Sequence, residues 1–218
     1  MEGVNVMEYK LTVRDIIGIF GEVSLIMDEN KDYLCELDGA IGDGDIGLTM
    51  SRGFQSIKEY ADNEEFGDVG SLLLRSGMTL ADSAPSTMGT LFASGFIKAG
   101  KASKGKTELN LEDFRDVLKE IEVGIMDRGK AKVGDKTILD SLSPATISLG
   151  QSINNNERMN EAIEKAYNAA VKGMNNTVNM QSQHGRAGRY LEKSIGKVDP
   201  GATVGALFYK GIYEYISK

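Results

Sequence analysis

Several residue types are scarce in this chain of 218 residues, and each scarcity excludes a class of protein. There is one cysteine, Cys35, so no intramolecular disulfide can form, which fits a reducing compartment. The three prolines are too few to interrupt long helices often. No stretch reaches the ~20 apolar residues that a membrane span requires. Residues 1–10 include acidic side chains and have no apolar core, unlike a signal peptide.

The chain also lacks an excess of basic charge. It carries 25 Lys and Arg against 32 Asp and Glu, which gives a formal net charge of -7. Proteins that bind nucleic acid usually present a basic face to the phosphates, so nucleic acid is disfavoured as a partner. We expect a cytoplasmic protein with neither a membrane nor a nucleic-acid partner.

A helical repeat of apolar residues runs along most of the sequence. In Leu111–Ile125 the apolar positions recur every three or four residues, and Asn110 before them is a suitable N-cap. Similar stripes occupy residues 13–27, 51–60, 69–80, 91–99, 138–149, 159–174 and 204–216. No run alternates as a half-buried strand does. The pattern predicts an all-α fold of about eight helices in one domain, residues 11–218, after an N-terminal extension of residues 1–10.

One junction between these stripes concentrates carboxylates and glycines. Asp43 and Asp45 are separated by one residue, and in a turning loop both can reach the same cation. Gly42 and Gly44 permit the backbone angles that such a loop needs, and Asp38 lies close enough in sequence to fold back onto it. Three carboxylates form a hard-oxygen set that favours Mg²⁺ or Ca²⁺ over zinc. An EF-hand is rejected on spacing, but a turn with ordinary Asp caps stays open as an alternative.

Other segments provide groups that can hold phosphate. Asp199-Pro200 matches an N-cap followed by proline at the first helical position, and the amides after it attract anions. Arg186 stands between small residues, and Asp135 is a candidate cap for another helix start. The Walker A string and the glycine-rich kinase loop are both absent from the sequence. A cation loop, an arginine and helix starts together suit phosphoryl transfer, although each feature also has a purely structural interpretation.

At the level of motifs, the chain resembles the L subunit of dihydroxyacetone kinase and the equivalent domain of single-chain ATP-dependent kinases. The resemblance runs from about Leu11 to Tyr215. It rests on segments 37–45, 52–54, 77–80, 128–131, 134–137, 185–187 and 194–202, which follow one another in the family's order.

The resemblance implies a closed barrel of eight antiparallel helices, with a nucleotide, ADP or ATP, in the loops at one end. It implies that Asp38, Asp43 and Asp45 hold two magnesium ions against the phosphates. The residues implied to contact the nucleotide are Ile46, Gly47, Thr49, Thr87, Met88, Gly129, Ile138, Arg186, Asp199, Pro200 and Gly201. No catalytic residue is implied beyond this metal and phosphate site.

The resemblance also implies that the chain acts as one subunit of a kinase. A separate K-type subunit would hold the small ketose that is phosphorylated, so the chain would be active only with that partner. In one branch of the family a phosphotransferase-system phosphocarrier recharges bound ADP, and in the other ATP exchanges as a substrate. The sequence leaves open the branch and the identity of the ketose or sugar.

Two departures from the family's pattern affect this expectation. Ile46 stands where the family usually has a histidine, and Pro85–Gly89 replaces a loop of glycine, alanine and serine. The carboxylates are retained. Three functions therefore compete: a kinase subunit of a divergent branch, a catalytically silent regulatory partner that binds nucleotide, and a magnesium-dependent phosphohydrolase.

Overall fold

Helices make up most of the protein. The computed structural model describes residues 9–40 and 42–218, apart from the side chain of Tyr190. The helices within these residues are α1 (Val13–Glu29), α2 (Lys31–Gly39), α3 (Ile46–Asn63), α4 (Val69–Ser83), α5 (Thr87–Ala102), α6 (Leu111–Gly129), α7 (Leu139–Asn154), α8 (Met159–Asn176) and α9 (Pro200–Ile216). The all-α prediction is confirmed, and each of the eight apolar stripes falls on a helix.

The structure adds elements that the periodicity did not predict. Helix α2 was missed because it is short and polar, and Leu34 is its buried residue. Strands β1 (Leu11–Thr12) and β2 (Glu108–Leu109) pair in antiparallel fashion, but two residues are too short to show an alternating pattern. Short 3₁₀ helices occupy Thr177–Asn179 and Ala187–Ser194. Of the predicted extension, residues 1–8 lie outside the described residues, and the division of the chain at residue 11 stays a prediction.

Eight of the helices form a closed ring. Helices α1, α3, α4, α5, α6, α7, α8 and α9 pack in that order, and α9 packs against α1 to close the ring. The closing pair is antiparallel: Gly211 of α9 lies against Val23 of α1, and the Tyr215 hydroxyl donates to Asp15 Oδ1 over 2.9 Å near the start of α1. This arrangement confirms the predicted closed barrel.

Phenylalanines fill the middle of the barrel. Phe54 of α3, Phe92 and Phe96 of α5, and Phe208 of α9 are all buried, with ring centroids 5.5–6.3 Å apart. Edge-on and tilted pairs of this kind add to the free energy gained from burying apolar area. The interior is thus a packed core, and the loops at the barrel ends are left to form binding sites.

Because neighbouring helices alternate in direction, helices α3, α5, α7 and α9 all begin at the same end. Their N-caps are Asp45, Ser86, Ile138 and Asp199. Each helix start places the positive end of a helix dipole at this end of the barrel. None of the helices in the described part of the chain is long and apolar enough to cross a membrane.

Glycines set the close approach of α5 and α6, which yields a stability prediction. A Cβ added at Gly124 would lie 2.7 Å from the Cα of Gly95 and from the Ser94 carbonyl oxygen. We expect Gly124→Ala to lower the free energy of unfolding by about 1–3 kcal/mol, because backbone on both sides must move. Urea denaturation measures this change.

The matched control is Gly150→Ala on α7, where an added Cβ meets nothing within 4 Å. That variant should be neutral or more stable by up to about 1 kcal/mol, because alanine favours the helix. Equal effects at both positions would contradict the packing argument.

Candidate functional site

A cavity of about 390 Å³ opens at the end of the barrel where the four helices begin. All four N-caps named above stand on its wall. The lining residues are Asp38, Gly42, Asp43, Asp45, Ile46, Pro85, Ser86, Thr87, Met88, Leu91, Lys136, Thr137, Ile138, His184, Gly185, Arg186, Ala187, Asp199, Pro200 and Gly201. The cavity thus collects loops that are far apart in sequence.

Three carboxylates converge on one side of the cavity. Oxygens of Asp38, Asp43 and Asp45 lie within 4.8 Å of one another. The loop is held in this shape by Asp38 Oδ2, which accepts hydrogen bonds from the amides of Gly44 (2.9 Å) and Asp45 (3.2 Å). Gly44 has φ +75°, and a Cβ at Gly42 would lie 2.1 Å from Asp38 Oδ1, so glycine is favoured at both positions.

The electrostatics of this cluster favour a bound cation. Burial raises the pKa of the Asp38 carboxyl above its usual range, and the charge of Asp43 raises it further, although the Gly44 and Asp45 amides oppose the change. A nearby cation reverses such a shift, because it favours the ionised form. The donor set is made of carboxylate oxygens, and it fits a hard ion such as Mg²⁺ or Ca²⁺.

An arginine approaches the carboxylates from a different part of the chain. Arg186 Nη1 lies 2.7 Å from Asp43 Oδ2, and the Arg186 side chain is 61% exposed. Lys197 donates to the carbonyl oxygen of Ala40 over 3.0 Å, which makes a second link between the same two segments. An exposed pair of this kind contributes little to stability, so its interest lies in placing a guanidinium at the mouth of the cavity.

Apolar side chains also line the cavity. These side chains, the apolar wall, lie at or near the starts of α3, α5 and α7; they are Ile46, Pro85, Met88, Leu91 and Ile138. A cavity lined by both charged groups and apolar side chains suits a ligand with a charged end and an apolar end.

Asp199 is the most perturbed carboxylate on the wall. It is 6% exposed, and its Oδ2 accepts from the amide of Ala202 over 2.7 Å, which confirms the predicted N-cap of α9. Burial raises the pKa of Asp199 to about 7, although this hydrogen bond and the charge of Lys136 oppose the shift. Burial likewise lowers the pKa of the Lys136 ammonium, against the effect of Asp199.

The structure brings most of the residues selected from the sequence to this cavity. Asp38, Asp43, Asp45, Ile46, Thr87, Met88, Ile138, Arg186, Asp199, Pro200 and Gly201 are on its wall. Gly47, Thr49 and Gly129 are not among its lining residues. Gly47 packs on the Lys31 carbonyl, Thr49 is half-buried within α3, and Gly129 ends α6 beside Leu91. Ile41 of the carboxylate motif lies outside the described residues.

The predicted cap at Asp135 is wrong. The amides of Gly134 (2.6 Å) and Thr137 (2.7 Å) before α7 donate instead to the buried carboxylate of Asp140. Asp135 Oδ2 accepts from the Lys132 amide over 2.9 Å and lies 2.9 Å from His184 Nε2. Asp140 lies inside the helix rather than before it, so the usual position of a cap in the sequence did not reveal it.

Some wall residues were missed from the sequence. Ser86 caps α5 by accepting from the Gly89 amide over 3.1 Å, and Lys136, Thr137 and His184 also line the cavity. Lys136 and Thr137 belong to segment 134–137, which contributed to the resemblance. Ser86 could have been predicted as an N-cap, because it stands three residues before Gly89 at the start of an apolar helical stripe.

A comparison with protein families agrees with this geometry. The model of the DAK2 domain matches residues 40–214. The chain belongs to the DAK2 domain family. The family assignment made from the motifs is thereby confirmed.

Relatives of this DAK2 protein include complete subunits of similar length. It is 39% identical to the ADP-binding subunit DhaL of the PEP-dependent dihydroxyacetone kinase of Escherichia coli, over 82% of this chain and 85% of the relative. It is 31% identical to the ADP-binding subunit DhaL of kinase 2 of Listeria innocua, over 92% and 93%. It is 30% identical to the corresponding subunit of the PTS-dependent enzyme of Lactococcus lactis, over 95% and 100%.

A solved structure shares the fold. The dihydroxyacetone kinase of C. freundii in complex with AMP-PNP and Mg²⁺ superposes with a TM-score of 0.71 at 23% identity, over 98% of this chain. The DAK2 chain spans 36% of the length of that kinase. At this identity the likeness supports the helical barrel alone.

The buried Asp199 carboxyl predicts a pH-dependent stability difference. Its pKa of about 7 in the folded protein lies above the ordinary 3.8, so ionisation costs stability as the pH rises from about 4 to about 7. Asp199→Asn keeps an acceptor for the Ala202 amide and cannot ionise. The variant should therefore gain stability relative to the wild type across this window, by a few kcal/mol (~1.4 per pKa unit), and the difference should be constant above it.

Urea unfolding between pH 4 and pH 9 measures this difference. Asp68→Asn changes the half-buried N-cap of α4, where Asp68 Oδ1 accepts from the Ser71 amide over 2.7 Å, and it controls for the loss of a capping carboxylate. Parallel pH profiles for the wild type and Asp199→Asn would contradict the prediction.

Proposed function

We propose that this chain is the nucleotide-binding subunit of a dihydroxyacetone-kinase-like phosphotransferase, and that it binds a magnesium–ADP or magnesium–ATP complex in the cavity. The observation that carries the proposal is the convergence of Asp38, Asp43 and Asp45 within 4.8 Å on the wall of a cavity where four helices begin. Carboxylates attract a cation, and helix starts attract an anion. A metal–phosphate complex satisfies both.

The chemistry of the lining residues supports a proposed orientation of the nucleotide. Its phosphates would lie beside the three carboxylates with the metal between them, within reach of the Arg186 guanidinium. Its base and ribose would lie against Ile46, Met88 and Ile138. Asp199, Pro200 and Gly201 form the tight start of α9, where a Cβ at Gly201 would be 3.0 Å from Asp199 Oδ2 and from Met88 Cε. Glycine at this position lets the start of α9 pack tightly beside Asp199 and Met88.

We propose two magnesium ions rather than one. Mg²⁺ usually binds through one or two carboxylates together with phosphate oxygens and waters. Three carboxylates can therefore serve two ions that share a ligand. When bound, the ions neutralise phosphate charge and align the phosphoryl group for transfer.

The residues of this chain would then act by positioning and by charge. Asp38, tied to the loop by two backbone hydrogen bonds, fixes the orientation of the metal-binding carboxylates. Arg186 provides charge-assisted hydrogen bonds to phosphate oxygens. The apolar wall and the α9 start exclude water from one side of the ligand. Phosphoryl transfer needs little covalent chemistry from the protein, so positioning and charge are sufficient roles for these residues.

The reaction requires a second protein that holds the acceptor. Relatives of similar length are named as subunits of dihydroxyacetone kinases, and this chain spans about a third of the C. freundii kinase. We therefore propose a K-type partner that carries a small ketose. The names of the three relatives above support a phosphotransferase-system phosphocarrier as the source of phosphate, with ADP retained on this subunit.

Calorimetric titration of the nucleotide-free protein with ADP and ATP, with and without Mg²⁺, tests the proposal. Binding should require Mg²⁺, and Asp43→Asn should weaken it by about tenfold to a hundredfold, because a neutral amide replaces an anionic metal-binding carboxylate. Asp116→Asn, which changes an exposed carboxylate on α6 outside the cavity, should bind like the wild type.

The same titration distinguishes the two sources of phosphate. Tight ADP with weak ATP supports the phosphocarrier, whereas similar affinities support an ATP-using kinase. A nucleotide affinity that is unchanged by removal of Mg²⁺ and by Asp43→Asn would refute the proposed carboxylate site. Steady release of phosphate from ATP by the isolated chain would favour a phosphohydrolase instead.

A further inference from the structure

Residues 178–198, the cover loop, form the segment that brings Arg186 to the cavity. Its ends lie together: the Asp199 amide donates to Thr177 Oγ1 over 3.0 Å, and the Gly196 amide donates to the Val178 carbonyl over 2.8 Å. The two ends of this long connection between α8 and α9 are therefore joined by hydrogen bonds.

The cover loop has no fully buried apolar side chain among those that the structure describes. Among its described side chains the buried ones are Ser182 and Ser194, which are both polar, while Leu191 is 60% exposed and Ile195 is 48% exposed. Segments with few buried apolar contacts open at low free-energy cost. Polar contacts at its base must hold this loop.

The largest of these polar contacts comes from Lys136, in the loop before α7. Lys136 is 2% exposed, and its Nζ donates to the carbonyl oxygens of Met180 (3.1 Å), Ser194 (2.6 Å) and Lys197 (2.6 Å). These carbonyls belong to both ends of the cover loop. One buried ammonium thus joins the two arms of the loop at a single point.

The hydrogen-bonding capacity of Lys136 is used up by these contacts. A lysine ammonium has three donors and no acceptor, and three carbonyls occupy them. Although Lys136 lines the cavity, it therefore has no donor left for a phosphate oxygen. A lysine beside a phosphate site usually binds the phosphate, whereas Lys136 binds the backbone of the cover loop.

The backbone around Lys136 also directs this residue and its neighbour toward the cover loop. Lys136 adopts φ +62°, a left-handed conformation that is unfavourable for lysine and that turns its side chain under the loop. The adjacent Asp135 adds two contacts to the cover loop, since its carbonyl oxygen accepts from the Gln183 amide over 3.1 Å and its carboxylate lies 2.9 Å from His184 Nε2.

We propose that Lys136 is a positioning residue: its buried ammonium organises the cover loop from below and so holds Arg186 at the phosphate end of the cavity. This inference rests on the proposed function for its effect on nucleotide affinity. The effect on the loop itself is independent of that function, so the two can fail separately.

Hydrogen exchange of the nucleotide-free full chain tests the effect on the loop. In Lys136→Met the amides of residues 180–197 should exchange at least about tenfold faster than in the wild type, because three hydrogen bonds at the base are lost. Exchange within α3 and α5 should not change. The matched control Lys132→Met removes an exposed ammonium four residues earlier and should leave the loop unchanged. Equal protection of the loop in Lys136→Met and the wild type would overturn the proposal.

Nucleotide affinity tests whether Lys136 acts through Arg186. Lys136→Met and Arg186→Gln should each weaken binding of Mg–ADP by about tenfold, and the double variant should be little weaker than either, because both remove the same contact. Additive losses would overturn the proposal, since they mean that Lys136 acts on the nucleotide by another route. If the wild type does not bind Mg–ADP, the proposed function fails while the exchange result still decides the role of Lys136 in the loop.

A second substitution covers the case in which Lys136→Met does not fold. Lys136→Gly removes the same ammonium but relieves the backbone at φ +62°. It should fold and show the same fast exchange in residues 180–197. A folded Lys136→Gly variant with a protected loop would also overturn the proposal.

Discussion

Closure of the helical ring by α9 against α1 is the constraint on which the site depends. An even number of helices that alternate in direction places every second N-terminus at the same end. Four helix starts, capped at Asp45, Ser86, Ile138 and Asp199, therefore surround one cavity. The aromatic core below them is filled, so the cavity is confined to the loops at this end. The barrel serves as a rigid ring that spaces the binding loops.

The cavity combines attractions of opposite sign. Helix starts and Arg186 favour an anion, whereas Asp38, Asp43 and Asp45 favour a cation, and burial already raises the pKa of Asp38. A free phosphate would meet the carboxylates unfavourably, and a free cation would meet the positive helix ends. The proposed magnesium–nucleotide complex brings both charges together and matches each to its partner. Ile46 belongs to the apolar wall and lies directly beside the carboxylate loop.

Polar contacts over long sequence separations also build the site. Lys136 reaches carbonyls 44, 58 and 61 residues away, and Lys197 reaches Ala40 across 157 residues. Each contact alone is modest in free energy. A buried ammonium without hydrogen-bond acceptors is costly in free energy, however. If one carbonyl moves away from Lys136, the remaining contacts are therefore weakened too, so the cover loop and the Lys136 contacts at its base are coupled.

The sequence by itself determined eight of the nine described α-helices, the family and most of the wall. Apolar periodicity is a local property, and so are the spacing of Asp43 and Asp45 and the Asp199-Pro200 helix start, so they could be recognised without a fold. Only the tertiary structure decided that Gly47, Thr49 and Gly129 are not among the residues that line the cavity. It also decided that Asp140 rather than Asp135 accepts hydrogen bonds from the amides before α7. Finally, it showed that the Lys136 ammonium binds backbone carbonyls and is not free to bind a ligand. These outcomes depend on which groups meet after the chain has folded. A pattern along the chain carries no information on whether the three donors of the Lys136 ammonium will lie within hydrogen-bonding distance of carbonyls that are dozens of residues away.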